Sequence, residues 1–337
     1  MHRHPRGVTA SPLTAPWRVL ALPPIDATLA AALLDGLPAI VTVPAERTQA
    51  AAVAAARDAE VVVGDWSGQL RVDADLIAAA PGLAAVLQPS VGVDSLDVDA
   101  LAVARVPAAN AAGANTDAVA EWCLAAALTC LRLLVVADGE VRAGDWPQLT
   151  LAARGARELD GTRVGIVGFG AIGQAAARLF RALGCDVAQW SRRRRDEEPW
   201  LDLDELLTRS DVLVVVVALA EQTRGLLGRD RLASLPPGAV LVNAARGGIV
   251  DEAAAAELVR AGRLTAAAFD VFAVEPLPAD SPLRGDPRIL LSPHAAGSSR
   301  QAQGRILGSL RANAERLVAG AALADVVNGV DPVVRRR

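Results

Sequence analysis

The stretch Thr162-Arg163-Val164-Gly165-Ile166-Val167-Gly168-Phe169-Gly170-Ala171-Ile172-Gly173 decides the fold. A β-prone run enters a Gly-x-Gly-x-x-Gly turn. An apolar helical segment, Ala171–Leu183, leaves it, and a second β-prone run, Asp186–Trp190, follows. Strand, glycine turn, helix and strand in that order form the context a dinucleotide fingerprint requires. Gly168 permits the tight turn, Gly170 lets the backbone approach a pyrophosphate, and Gly173 lets the helix pack on the strand. Phosphates would rest among Gly168, Phe169, Gly170, Ala171, Ile172 and Gly173, on N–H groups at a helix start where the dipole favours negative charge.

On both sides of this stretch, short β-rich runs alternate with helical ones. Val19–Leu22, Ala39–Val43, Glu60–Gly64, Ala84–Leu87 and Val106–Ala109 read as strands; Ile25–Leu34, Ala45–Ala59, Asp73–Ala80 and Asp97–Ala104 read as helices. A long apolar helix, Thr116–Ala137, with Asn115, Thr116 and Asp117 as candidate caps, breaks the rhythm. It resumes with strands Arg163–Val167, Asp186–Trp190, Val212–Val217, Ala239–Val242, Thr265–Phe269 and Ile289–Ser292, and the helix Arg300–Ala319 closes the chain. Such alternation means parallel sheets covered on both faces. The expected fold is α/β, with two doubly wound parallel-sheet domains. A Rossmann dinucleotide domain (115–298) is inserted into a flavodoxin-like substrate domain (17–114 and 299–337), behind a disordered tail (1–16). A cleft between such domains is a common place for a small-molecule site.

Composition removes several alternatives. The 337 residues are 52% hydrophobic with a net charge of -4, which gives no reason to expect nucleic acid or an anionic membrane as partner. The longest unbroken apolar run, Val212–Ala220, is too short to span a bilayer. The charged N-terminus has no apolar segment after it, so no secretory signal is read. Cys123, Cys130 and Cys185 lie in apolar contexts without a C-x-x-C, and read as reduced core thiols of a cytoplasmic protein. Lysine and tyrosine are absent, which excludes a Schiff-base lysine and any Tyr–Lys redox pair. His2 and His4 fall in the tail, so acid–base work by an imidazole must use His294. One histidine and no cysteine cluster leave no zinc site.

Three segments with polar residues follow strand runs of the second domain, where ligand crevices open in α/β sheets. Arg246 stands in Val242-Asn243-Ala244-Ala245-Arg246-Gly247-Gly248, Asp270 and Glu275 in Phe269–Pro278, and His294 in Ser292-Pro293-His294-Ala295-Ala296-Gly297. By type alone the arginine could be a surface ion-pair partner and the histidine structural. Together after successive strands they supply a cation to polarise a carbonyl and a proton donor, two requirements of ketone reduction.

These segments, with Ser90-Val91-Gly92-Val93-Asp94 and Asn110-Ala111-Ala112-Gly113-Ala114-Asn115-Thr116, resemble the NAD(P)-dependent D-isomer-specific 2-hydroxyacid dehydrogenase family from Arg18 to about Gly329. The resemblance implies hydride transfer from nicotinamide C4 to C2 of a 2-oxo acid. His294 is then the acid, Glu275 its hydrogen-bonded partner that raises its pKa, and Arg246 the carboxylate and carbonyl ligand. It assigns the Val91-Gly92 backbone to the substrate carboxylate, and Thr116, Ala218, Ala244, Arg246, Asp270, His294 and Gly297 to the cofactor, Asp270 at the nicotinamide. It also implies a C2 homodimer formed through the cofactor domains by the helix Thr116–Ala137 and the segment after it.

Within the resemblance, formate dehydrogenases carry Gln in place of Glu275, and phosphite dehydrogenases need a lysine this chain lacks. Phosphoglycerate dehydrogenases often carry a long extension, whereas this sequence stops at Arg337. The expectation is a general 2-oxoacid reductase acting on glyoxylate or hydroxypyruvate. Trp66 and Ser67 either line the substrate mouth or, in the case of Trp66, only pack the domain. The alternative function is an NAD(H)-sensing, corepressor-like binding protein with little turnover.

Cofactor choice is read from the end of the second strand, where NAD-preferring folds place a carboxylate for the ribose hydroxyls. Here Ser191-Arg192-Arg193-Arg194-Arg195 stand instead. Ser191, Arg192 and Arg193 are assigned to a 2′-phosphate, so NADP(H) is preferred and NAD(H) tolerated. Arg194 and Arg195 are read as a solvated face paired with Asp196, Glu197 and Glu198.

Overall fold

The computed structural model describes residues 15–194 and 199–336. Most of the expected tail, and Arg195 with Asp196, Glu197 and Glu198, lie outside them. The chain divides into two compact units. One runs through Ala114 and resumes at Gln303; the other is Asn115–Ala302.

In the first unit β1 (Trp17–Ala21), α1 (Ala27–Leu33), β2 (Ala39–Thr42), α2 (Gln49–Ala55), β3 (Val61–Val63), α3 (Ala74–Ala79), β4 (Ala85–Leu87), α4 (Val98–Val103) and β5 (Ala108–Ala109) alternate. The parallel sheet has the order β2-β1-β3-β4-β5, the doubly wound pattern of flavodoxin-like folds. Its helices begin where side chains satisfy their free N–H groups: Asp26, Thr48, Asp73 and Asp97 each accept from the backbone N–H three residues on. Thr48 therefore starts α2 four residues later than the alanine-rich run Ala45–Ala59 suggests. β3 explains why the sheet must be covered twice. Val61 and Val63 pack with Leu310, Ala314 and Leu317 on one face, while Val62 packs with Leu76 and Leu101 on the other.

The second unit comprises α5 (Thr116–Leu131), α6 (Leu134–Ala143), β6 (Arg163–Val167), α7 (Ala171–Ala182), β7 (Asp186–Trp190), α8 (Leu203–Arg209), β8 (Val212–Val215), α9 (Arg229–Ser234), β9 (Ala239–Asn243), α10 (Glu252–Arg260), β10 (Leu264–Phe269) and β11 (Ile289–Leu291). α11 (Arg300–Val318) starts here and carries on into the first unit. The strand order is β7-β6-β8-β9-β10-β11, all parallel. Val164, Ile166, Val212, Val214, Val240 and Val242 meet α5 and α7; Leu213, Val215 and Leu241 meet α8, α9 and α10. The strand order reverses beside β6, so the glycine turn leaves its carboxyl end at a switch point, where α/β sheets bind ligands.

The single helix expected over Thr116–Ala137 is two helices. Leu133 adopts a left-handed backbone (φ 52°) with its side chain in the core, and the chain bends by 56° between α5 and α6. Leu134 and Val135 consequently turn outward and are exposed. Asn115 stands at the start of α5, but its side chain makes no capping bond. Among the described residues no single helix is long and apolar enough to cross a membrane.

Candidate active site

Each glycine of the turn meets a different geometric demand. Gly168 has φ +103°, and a methyl group there would sit 2.5 Å from the Val217 N. At Gly173 it would sit 2.1 Å from the Gly168 carbonyl oxygen, so the helix can approach the turn only without a side chain. A methyl on Gly170 would meet nothing within 4 Å, which leaves the space over the turn open. Gly170 begins α7 with no side-chain capping bond, so the first N–H groups of a twelve-residue helix face that space. These features fit a dinucleotide pyrophosphate. Phe169 contributes its backbone to this turn while its ring is buried in the core.

At the tip of β7, the Ser191 hydroxyl lies 2.9 Å from Gln189 Oε1 and 2.7 Å from the Arg193 carbonyl oxygen. Arg192 and Arg193 are exposed on this turn. Arg194 lies over the Trp200 ring, 5.7 Å from its centroid, and the acidic partners expected for it, Asp196, Glu197 and Glu198, lie outside the described residues. Thr116 opens α5 half-buried, Ala218 is exposed after β8, and Ala244 is half-buried after β9 with its N–H on the Val215 carbonyl.

The ends of β9, β10 and β11 carry the acid–base residues, and the local packing brings them together. Arg246 follows β9; its Nη1 donates to the Ala245 carbonyl. A methyl on Gly247 would fall 1.9 Å from the Phe272 carbonyl oxygen and 2.4 Å from the Ala273 N, so only glycine lets these two turns touch. Glu252, at the start of α10, accepts from the Ala273 N–H at 2.6 Å and holds the second turn from beneath. Glu275 on that turn accepts from the Phe272 N–H through Oε1 (3.0 Å) and places Oε2 2.9 Å from His294 Nδ1. His294 and Glu275 are both partly exposed.

Electrostatics follow from this geometry. The hydrogen bond to Glu275 raises the His294 pKa against the opposing effect of burial; Glu275 and Asp270 charges add to the rise and Arg246 opposes it. Burial pushes the Glu275 carboxyl up, but its hydrogen bonds from His294 and the Phe272 N–H, with the His294 and Arg246 charges, outweigh it and hold it below its ordinary value. Nδ1 is engaged by the carboxylate, leaving Nε2 as the nitrogen able to exchange a proton with a ligand.

Asp270 has a part that its sequence context did not reveal. It is 2% exposed, and its carboxylate accepts from the Ala295 N–H (2.7 Å), the Ala296 N–H (2.9 Å) and the Ser292 hydroxyl (2.5 Å), while its carbonyl accepts from the His294 N–H (2.8 Å). His294 itself has φ 53°, a left-handed backbone that a β-carbon disfavours. Asp270 thus clamps the turn that presents the imidazole. Gly297 ends this turn, where a methyl would fall 2.7 Å from Asn115 Nδ2.

In the first unit Trp66 and Ser67 follow β3, and Val91 and Gly92 follow β4. Trp66 is 40% exposed. The buried Asp65 shapes its turn, accepting from the Ser67 N–H (2.6 Å) and the Leu70 N–H (3.0 Å). Arg47, to which no sequence motif points, donates to the Ser67 hydroxyl at 2.5 Å.

Comparison with known proteins agrees with this fold. Residues 124–296 match the family model described as D-isomer specific 2-hydroxyacid dehydrogenase, NAD binding domain. A glyoxylate reductase from Aeropyrum pernix is 36% identical over 250 residues, covering 70% of this chain and 73% of that protein. A D-3-phosphoglycerate dehydrogenase from Mycobacterium tuberculosis is 37% identical over 263 residues, covering 76% of this chain and 49% of that protein. The chain thus spans about half the length of the mycobacterial enzymes it matches. A solved structure from Thermus thermophilus superposes with a TM-score of 0.82 at 30% identity, covering 92% of this chain and 99% of that one.

Proposed function

We propose, since the chain belongs to the D-isomer-specific 2-hydroxyacid dehydrogenase family, that it reduces a small 2-oxo acid to the D-2-hydroxy acid with a nicotinamide dinucleotide. The substrate is of the glyoxylate or hydroxypyruvate type, and NADP(H) is preferred over NAD(H). The observation that carries the reading is the His294–Glu275 pair, held at 2.9 Å on the turns after β10 and β11, with the charge of Arg246 acting on both.

The bound dinucleotide supplies the hydride. Gly168–Gly173 hold its pyrophosphate, and Ser191, Arg192 and Arg193 its 2′-phosphate. Thr116, Ala218, Ala244, Asp270 and Gly297 complete its surroundings. His294 gives its Nε2 proton to the oxygen that becomes the hydroxyl. Glu275 keeps the imidazole charged to higher pH, so the proton is available in the neutral range. Arg246 binds carboxylate and carbonyl with its planar fork, and its attraction strengthens as negative charge develops on oxygen. The Val91 and Gly92 N–H groups take the other carboxylate oxygen, and Trp66 and Ser67 line the substrate mouth. A carboxylate at position 275, where formate oxidation needs no proton delivery, favours an oxo-acid substrate.

The protein acts as a C2 homodimer in the cytoplasm. α6 and the segment after it expose Leu134, Val135, Val141, Trp146 (77%) and Leu149 (91%), an apolar strip that a monomer would leave in water. Cys123, Cys130 and Cys185 are buried free thiols.

The test is turnover. Protein is mixed with NADPH or NADH and a panel of 2-oxo acids, and the nicotinamide absorbance is followed. Consumption with glyoxylate or hydroxypyruvate, faster with NADPH, is expected. Failure with every 2-oxo acid would leave a dinucleotide-sensing binding protein in its place.

A further inference from the structure

The turn after β4 is built so that its carbonyls point away from a ligand. The Ser90 carbonyl accepts from the Ala111 N–H at 3.0 Å, the Val91 carbonyl from Asn110 Nδ2 at 2.7 Å, and the Gly92 carbonyl from the Ser90 hydroxyl at 2.6 Å. Three consecutive carbonyls are thus tied back into the protein. Among the described residues, no hydrogen bond uses the Val91 or Gly92 N–H. Successive free N–H groups with their carbonyls turned away make an anion-binding concavity.

The tie on Gly92 is directed by a residue that touches none of these N–H groups. Gln88 is 3% exposed, and its Nε2 donates to the Asp65 carbonyl (3.1 Å) and the Ser90 hydroxyl (2.9 Å), with Ser95 Oγ further off at 3.4 Å. The Asp65 carbonyl can only accept, so it fixes which end of the amide is nitrogen. With Nε2 donating to Ser90 Oγ, the hydroxyl hydrogen is free to donate onward to Gly92. The chain amide, hydroxyl, carbonyl runs in one direction, and each bond polarises the next. Gly64 makes room for it: a methyl there would fall 1.9 Å from Gln88 Oε1. Because Gln88 also holds Asp65, one buried amide sets both the turn of Trp66 and Ser67 and the turn of Val91 and Gly92.

We propose that Gln88, acting through Ser90, is a positioning residue: by fixing the Gly92 carbonyl, and with it the Gly92–Val93 peptide plane, it holds the turn whose Val91 and Gly92 N–H groups bind a carboxylate. The inference rests on the reading of this turn as the carboxylate holder of a 2-oxoacid reductase.

Its test compares Ser90→Ala, Ser90→Thr and Gln88→Leu with the wild type. Ser90→Ala removes the Gly92 tie and nothing larger. The KM for glyoxylate should rise about tenfold, the worth of one hydrogen bond, while kcat at saturating NADPH changes little, as loss of uniform substrate binding requires. Ser90→Thr keeps the hydroxyl and should restore the KM, which a general packing defect would not produce. Gln88→Leu, if it folds, should match or exceed the effect of Ser90→Ala. An unchanged KM in Ser90→Ala, or equal damage in Ser90→Thr, overturns the inference. If the wild type turns over no 2-oxo acid, the functional reading fails by itself, and oxalate binding measured by calorimetry decides the turn separately. Wild-type binding that Ser90→Ala weakens about tenfold sustains it; no binding, or equal binding, overturns it.

Discussion

Replacing Arg192 and Arg193 together by alanine should abolish most of the preference for NADP(H). The structure sets the scale. Both arginines are exposed on the turn that ends β7. At about 4 Å, one opposite-charge contact is worth roughly 4 kcal/mol at an effective dielectric near 20 and about 1 kcal/mol in water. Exposed side chains belong near the lower figure, and ordering two long side chains subtracts from it. Two contacts then sum to about 1.4 kcal/mol net, or about tenfold in kcat/KM. The assay is steady-state kcat/KM for NADPH and NADH against one 2-oxo acid, for wild type and double variant, at low and high salt. The wild-type ratio should exceed about ten and shrink as salt screens the exposed charges; the variant ratio should approach one and lose that salt dependence. Equal efficiency with both cofactors in the wild type, or a ratio unmoved in the variant, would refute the assignment of this turn to the 2′-phosphate.

Further expectations concern the acid–base pair and the assembly. His294→Ala should lower turnover by about 10²–10⁴-fold, the usual worth of a general acid, with dinucleotide affinity measured by fluorescence nearly intact. In Glu275→Gln the imidazolium loses the partner that raises its pKa. Reduction should then fall away at lower pH than in the wild type, and an unmoved pH profile would dissociate the pair from proton transfer. The raised His294 pKa also contributes stability below its unfolded value that is lost as pH rises through the folded one, so the Tm gap between the two proteins should close in that window. Arg246→Lys should raise KM and lower kcat together, because an ammonium cannot form the bidentate fork; near-normal kinetics would place Arg246 away from substrate. Light scattering should give a dimer mass for the wild type and a monomer mass for Trp146→Glu with Leu149→Glu, and a monomeric wild type would reject the assembly.

How far the fold could be read in the sequence depended on whether a local rule was sufficient. Val61–Val63 and Val212–Val215 are unbroken β-branched or apolar runs, and each proved to be a strand buried on both faces. Asp73 and Asp97 mark helix starts because a carboxylate can accept from a free N–H three residues on. Thr116–Ala137 shows the limit of such rules. The segment is apolar on every side, so its periodicity carries no mark of the bend, and neither glycine nor proline stands at Leu133. The left-handed backbone there is imposed by packing the Leu133 side chain into the core, a tertiary effect.

The candidate site divides in the same way. Arg246, Glu275 and His294 were visible because polar residues interrupt apolar strand ends, and the glycine turn because each glycine has its own geometric duty. What remained hidden were the bonds that hold these residues still, since a carboxylate in sequence does not disclose its partners. Asp270 is the clearest case. Family resemblance assigns it to the nicotinamide, yet its oxygens accept from Ser292, Ala295 and Ala296 in a site closed to water. A buried carboxylate must be matched by donors, and the donors available here belong to the very turn that carries His294 in a disfavoured backbone conformation. The desolvation cost of Asp270 and the strain at His294 are therefore offset by the same hydrogen bonds. A substitution at either residue acts on both, and any cofactor contact made by Asp270 is made by a group already engaged in presenting the acid.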